Sequence, residues 1–484
     1  MIEVEWEDVQ GPVLSGYGYL KYARYLFVRF PDGFDAHSWL ETLQSKITTF
    51  PGGGVGRLTQ AINLAFTWQG LKRLGYPEPL SARFPAELVS GMGDPERARR
   101  LGDTGSSSPD TWEIGKPKGD AIHALLLLRA ERERELDTLE GDWTKGLELT
   151  SKQDGWMDPS DHREHFGFED GISQPVPDAS PKAQEAVVNT PEDVVPTGEL
   201  VLGYPNAYGM FPATPTVPSA LDACDLLPPV IHAAPAGRSP EESPEKDFGR
   251  NGTYLVFRKL EQNVGKFREF VNGDQLRAAK MVGRWPSGAP LTLHPDTDPG
   301  PEFSRNDFLY YNKDRNGFHC PAGSHVRRAN PRDSIEHNPE QSLQTVSRHR
   351  ILRRGVLFGE RLPVGQADDG ASRGLLFVCL NTDLRRQFEF IQQTWLNSPK
   401  FAGLSDERDP IVGANSEHSI TDAENYNFTI PRDPVRKRLS GLPRFVTVKG
   451  GGYFFLPGIT ALKFLASLKQ VGVENQLKGS LKSG

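Results

Sequence analysis

Apolar positions along the chain fall into short runs of two periods, and their order is the first structural signal. Residues 22–30 (YARYLFVRF) are dense in aromatic and β-branched side chains and predict a strand. Residues 37–47 (HSWLETLQSKI) carry apolar positions at helical spacing. Residues 63–76 read as a strand turning into a helix that stops at Gly75. A buried strand over 121–129 then runs into a charged helix over 131–139. The second half repeats the theme, with a strand over 253–257 and helices over 262–270 and 274–285, the latter stopped by Pro286. A short buried strand over 374–380 leads into a helix over 384–396. A last pair of strands, 444–448 and 453–456, precedes a helix over 459–468. This order predicts two similar α+β halves.

Between the halves, residues 175–250 are rich in Pro, Ala, Ser and acidic side chains. That is too long for an ordinary connection, and it reads as a surface excursion wrapping one domain. The end of the chain, 473–484, is short and polar and reads as a frayed terminus. A length of 484 residues suggests two or three domains. An aromatic content of 10% argues against global disorder. No run approaches the ~20 apolar residues of a membrane span. The net charge of −7 comes without a basic block, which argues against nucleic acid as a partner. Three cysteines, Cys224, Cys320 and Cys379, with no CxxC, make neither a disulfide framework nor a zinc site. The acidic first residues lack a signal-peptide pattern, so the expected location is the cytoplasm.

Most of the eleven histidines sit in contexts that need no function. His37 opens a helix, His123 begins a strand, and His232, His294, His337 and His418 lie in polar or Pro-rich loops. His162 and His165 form an HxxH pair, but Asp158, Pro159 and Gly167 favour a loop there over a metal-binding helix face. The glycine-rich PGGGVGR at 51–57 lacks the Lys-Ser or Lys-Thr of a phosphate loop.

Three segments are more informative. FGFEDGISQP, 166–175, puts Asp170 in a tight turn between apolar Phe168 and Ile172; this is an ordinary turn aspartate or a carboxylate ready for proton transfer. FHCPAGSHVRRANPR, 318–332, starts a helix near His325 and follows it with Arg327, Arg328 and Arg332. A histidine beside clustered arginines is a basic solvated face, or an iron ligand beside donors for haem propionates. HRILRRGVLFG, 349–359, interrupts a strand-like run with arginines, which are edge residues or buried groups needing polar partners.

Together these segments resemble the dye-decolourising peroxidases, a family of haem peroxidases. GFEDG at 167–171 looks like the family's GxxDG motif, CPAGSHVRRANPR at 320–332 like its proximal-histidine segment, and ILRRGVLFG at 351–359 like its distal-arginine segment. Supporting stretches are NLAFTWQGL at 63–71, GLLFVCLNTDLRRQFEFIQQTW at 374–395, DERDPIVG at 406–413 and FVTVKGGGYFFLP at 445–457. The length and the central excursion look like the larger, elaborated members.

The resemblance implies an α+β fold of two ferredoxin-like domains, each an antiparallel sheet with peripheral helices, of the dimeric α+β barrel type. It implies a first domain over 1–175 ending in the GxxDG loop, the excursion over 176–250, a haem-binding domain over 251–472 and the tail from 473. It implies haem b with His325 as axial iron ligand, Asp170 and Arg353 as distal catalytic residues, Arg332 on a propionate, and Leu375 and Phe377 as distal apolar lining. Arg353 is preferred to Arg354 by counting from the Gly359 end. A carboxylate should hold the other nitrogen of His325, with Asp383 and Glu389 as candidates. The implied reaction uses hydrogen peroxide to oxidise dyes, phenols and other one-electron donors through a ferryl haem intermediate. A homo-oligomer is compatible with the sequence, and LKGSLKSG at 477–484 loosely resembles peptides that target encapsulin shells. Rival readings are a haem carrier or iron-recovery enzyme of the same fold and a ferredoxin-like module without haem. The related chlorite-decomposing family is disfavoured by Asp170 in its GxxDG setting.

Overall fold

The computed structural model describes residues 3–50, 56–119, 121–231, 245–414 and 426–468. Most of the glycine-rich stretch at 51–57, His232, His418 and the tail from 473 lie outside these residues.

In the strand β1 (Tyr22–Arg29), neighbouring side chains enter different cores. Leu26 and Val28 pack with residues of the helix α1 (Ala36–Gln44), and Ala23, Tyr25 and Phe27 face the other way. This is the period-two alternation of a strand covered on both sides. α1 is started by Asp35, whose side chain accepts the Ser38 N–H. The strand β2 (Gln60–Phe66) turns into the helix α2 (Trp68–Arg73), capped by Thr67, and Gly75 takes a left-handed conformation just beyond it. The strand β3 (Ala124–Ala130), the helix α3 (Glu133–Trp143) and the strand β4 (Glu148–Trp156) complete the first half. Its antiparallel order is β4–β1–β3–β2.

The second half has the same order. The strand β5 (Thr253–Gln262) is followed by the helices α4 (Val264–Val271) and α5 (Gln275–Val282). α5 ends three residues before the predicted stop, because Gly283 turns the chain with φ of 105°. Then come the helix α6 (His325–Ala329), the short strands β6 (Leu352–Arg353) and β7 (Val356–Phe358), and the strand β8 (Gly374–Asn381). Residues 385–396 are wound as π-helix. The strand β9 (Val446–Leu456) and the helix α7 (Ile459–Ser467) finish the half. β5 lies between β9 and β8, and β8 pairs with both β6 and β7.

β9 corrects the expectation of two strands over 444–448 and 453–456. It is one strand with a register shift at Lys449, running through Gly450, Gly451 and Gly452. A Cβ on Gly450 would stand 2.9 Å from Cβ of Ile114, and one on Gly451 would stand 2.4 Å from the Met92 sulfur. The glycines mark a strand crossed closely by another segment, not a break.

The two half-sheets join at both edges. Phe455 of β9 pairs with Phe66 of β2, and Leu357 of β7 pairs with Trp156 of β4. The result is a closed antiparallel barrel without free edges between the halves. Phe257 of β5 meets Tyr25 at 6.0 Å and Phe27 at 4.9 Å between ring centres, although β5 and β1 are not neighbours in the sheet. These rings therefore touch across the barrel, in edge-on geometry. The stretch between the halves is anchored deeper than a surface excursion: Glu199, Leu200, Val201 and Leu202 are fully buried, and Thr382 at the end of β8 donates to the Gly198 carbonyl. Among the described residues, no helix is long and apolar enough to cross a membrane.

With both halves supplying its interior, the barrel is expected to unfold as one unit. Phe257→Ala should cost about 3–5 kcal/mol, read from the denaturation midpoint. Loss of only the second-half signal would contradict a shared core.

Candidate active site

The inner face of the second half-sheet fills the barrel, so its outer face is free to build a site. Along β8, Leu376, Val378 and Leu380 point into the barrel core, whereas Leu375 and Phe377 line a cavity on the other side. The roof is α6, the π-helical segment and residues 411–414; the GxxDG loop closes one side. His325, Asp170, Arg353, Leu375 and Phe377 all line this one cavity.

His325 is the first residue of α6, where its imidazole reaches back toward a buried turn. Its Nδ1 lies 2.9 Å from Oδ2 of Asp409, whose side chain has no solvent exposure. The other Asp409 oxygen accepts the N–H groups of Ile411 and Val412 at 2.9 and 2.8 Å. Burial works against the Asp409 charge, but His325 and these backbone donors outweigh it, and its pKa lies below the usual carboxylate value. For His325, burial opposes protonation, but the Asp409 carboxylate outweighs it and the pKa is raised. An ionised Asp409 accepts the hydrogen bond of the Nδ1–H group, so in the neutral ring Nε2 carries the free electron pair.

The carboxylate behind the imidazole is therefore Asp409, not Asp383 or Glu389. Asp383 caps its own helix by accepting the Arg386 N–H at 2.9 Å. Glu389 accepts two bonds from Arg97, at 3.0 and 2.9 Å, and one from the Tyr453 hydroxyl at 2.8 Å. Arg328, one turn after His325, is fully buried and donates to the carbonyls of Gly323, Trp395, Ser398 and Glu407. It ties α6 to the segment that delivers Asp409.

Asp170 is held by its loop. Gly167 and Gly171 both take positive φ, of 98° and 82°, and so permit the tight excursion between them. Beneath them, half-buried Glu164 accepts the N–H groups of Phe166 and Phe168 at 2.8 and 2.9 Å and the Gln262 amide at 2.6 Å. Burial pushes the Glu164 pKa up. The Asp170 carboxylate stays open, with 48% of its side chain exposed, and stands 3.6 Å from the Arg353 guanidinium. Arg353 and Arg354 separate as adjacent strand residues do. Arg354 turns away and donates to the carbonyls of Pro12 and Val13.

Arg332 is a correction. It is not among the residues lining the cavity. It has a left-handed φ of 51°, is almost fully buried, and donates to Glu192, Asn306 and Phe308. The cations that do line the cavity on the α6 and GxxDG side are Arg284, Arg350 and Arg353, together with the amide of Asn330. His162 and His165 do not form a metal pair: His165 is buried against the Phe358 carbonyl at 2.9 Å, and burial lowers its pKa to about 4. Among the described residues, no group of three His, Cys, Asp or Glu side chains could hold a metal ion by itself.

These residues suit a large, flat, iron-bearing ring. His325 offers its Nε2, which has no hydrogen-bond partner among the described residues. Leu375, Phe377, Leu260, Val282 and Ile351 remain half-buried toward the cavity, where an apolar occupant would cover them. Arg284, Arg350 and Asn330 can meet its carboxylates. A carboxylate-backed imidazole facing an arginine and an aspartate is the donor set of a haem enzyme that acts on peroxide.

Comparison with known proteins agrees. A family model described as "Dyp-type peroxidase, C-terminal" matches residues 241–407. The chain is 26% identical to dye-decolorizing peroxidase msp1 of Mycetinis scorodonius, over 95% of this chain and 87% of that one. It is 28% identical to the multifunctional dye peroxidase DyP2 of an Amycolatopsis strain, covering 91% of each. The crystal structure of a DyP-type peroxidase from Anabaena superposes with a TM-score of 0.73 at 25% identity, covering 95% of this chain and 94% of that one. Over nine tenths of its length the chain is similar to dye-decolorizing peroxidases, and its second half carries the match to their C-terminal family model; that similarity implies a haem cofactor.

The His325–Asp409 pair defines a pH window in the haem-free protein. The Asp409 contribution is present above the ordinary carboxyl value of 3.8 and is lost as pH falls through its lowered pKa. The His325 contribution is present below the ordinary value of 6.5 and is lost as pH rises through its raised pKa. Asp409→Asn should lower Tm most between these limits, by the equivalent of about 3 kcal/mol. An unchanged shape of Tm against pH would contradict the pairing.

Proposed function

We propose that the chain binds haem b through His325 and uses hydrogen peroxide to oxidise dyes, phenols and other one-electron donors. The observation that carries this reading is the placement of the Asp409-held imidazole and the Asp170–Arg353 pair on one apolar cavity. Haem supplies a redox-active iron with an open position, the chemistry needed to split an O–O bond and to take back electrons singly.

The protein's part is to hold that chemistry and to move protons. In the neutral ring Asp409 holds the proton of His325 on Nδ1, which leaves Nε2 as the atom that would bind the iron, and it raises the basicity of the ring as a ligand. Asp170 would accept a proton from one peroxide oxygen and return it to the other, while bound haem would supply the electrons for breaking the O–O bond. Its 48% exposure lets peroxide or an intervening water reach it. Arg353 donates to the oxygen on which negative charge develops. Leu375 and Phe377 cover the reacting face with side chains that offer no competing proton. Large dyes do not fit inside such a cavity, so their electrons would enter from the protein surface.

Two variants separate binding from turnover. His325→Ala should fail to retain haem, seen as loss of the Soret band after desalting. Arg353→Leu should retain haem while kcat/KM for peroxide falls by about two to three orders of magnitude, the usual loss when one donor to a developing oxyanion is removed. Full activity in Arg353→Leu would overturn the distal assignment.

A further inference from the structure

Arg353 sits on the two-residue strand β6, at an edge of the second half-sheet. One side of this strand is satisfied by β8: Leu352 and Arg353 pair with Leu380 and Cys379, and the next residue, Arg354, donates its N–H to the Val378 carbonyl at 2.7 Å. The Arg353 N–H is met from another element. Its acceptor is Oε1 of Gln174, at 2.9 Å. Gln174 lies four residues after Asp170 on the same loop and precedes Pro175, which favours an extended backbone at this point.

The loop therefore grips Arg353 by main chain and side chain together. The guanidinium reaches the Ser173 carbonyl at 3.5 Å and the Asp170 carboxylate at 3.6 Å, both loose contacts. The Gln174 bond is the shortest link between loop and arginine. Apart from that loose contact, the bonds of Asp170 to other described residues stay close to its loop: its N–H donates to the His162 carbonyl, and its Oδ1 accepts the Gly171 N–H. The spacing of Asp170 and Arg353 thus depends on how the loop docks on the strand.

We propose that Gln174 is a positioning residue that fixes the distal arginine in register with Asp170. This rests on the peroxidase reading of the same site. Gln174 touches no reacting atom in this scheme; it acts through the Arg353 backbone.

The test uses the full chain supplied with haem and two variants. Gln174→Met keeps the length of the side chain and removes the acceptor. Gln174→Glu keeps an oxygen at the same reach. The first readout is the Kd for cyanide, an anion whose binding senses the arginine without turnover. The second is amide hydrogen exchange at residues 352–354. The third is kcat/KM measured separately for peroxide and for the electron donor. Gln174→Met should raise the cyanide Kd and lower kcat/KM for peroxide, each by roughly tenfold, the equivalent of one lost hydrogen bond. It should also lose protection at the Arg353 amide, with haem content and kcat/KM for the donor unchanged. Gln174→Glu should restore the amide protection and most of the cyanide affinity. Unchanged cyanide affinity and peroxide kcat/KM in Gln174→Met would overturn the proposal. So would haem loss with equal falls for both substrates, which is what a merely structural residue would give. If the unaltered holoprotein ignores peroxide, the peroxidase reading fails instead, and cyanide binding and amide exchange still judge Gln174.

Discussion

Neighbouring side chains of a strand point to opposite faces, and the site depends on this rule at β8. One set, Leu376, Val378 and Leu380, closes the barrel; the other, Leu375 and Phe377, is left to floor a cavity. The first half-sheet meets the second at both edges, so the barrel interior needs nothing more from the outer face. Any slip of β8 by one residue would exchange the two sets and destroy core and cavity together. The rigid floor is what allows loops from distant parts of the chain to meet above it.

The two sides of the cavity use charge differently. Behind His325, a fully buried carboxylate is held by two backbone N–H groups and by the imidazole. Such a carboxylate stays ionised only because its partners are fixed, so it orients the ring. On the opposite side, Asp170 and Arg353 are partly exposed and 3.6 Å apart. A partly exposed pair at this distance leaves both groups accessible to a small substrate.

Much of this was legible in the residues. The GxxDG stretch, the segment around His325, Arg353 and the apolar pair on β8 converge on one cavity because each carries its own local signal: paired glycines, a helix start, and strand alternation. Asp409 stood in the supporting stretch DERDPIVG, but nothing local tied it to His325. It lies 84 residues from His325, and only the fold brings the two together. Asp383 and Glu389 looked equally suitable until their own partners, Arg386 and Arg97, were visible. Arg332 sat in the right cluster, but its left-handed backbone turns it into the protein. Three successive glycines suggested a break at 450–452, whereas they let Ile114 and Met92 pack against a continuous strand. Barrel closure was expected only from the family resemblance, since one backbone pairing at each edge leaves no mark on composition.

The central claim is that this cavity holds a haem which reacts with peroxide under the control of His325 on one side and Asp170 and Arg353 on the other. The most direct measurement is the ultraviolet–visible spectrum of the purified, haem-supplied protein before and after one equivalent of hydrogen peroxide, then after a reducing dye. The account predicts a Soret band that shifts on adding peroxide and returns when the dye is added and bleached. A Soret band that ignores peroxide, or no Soret band after haem supply, would contradict it.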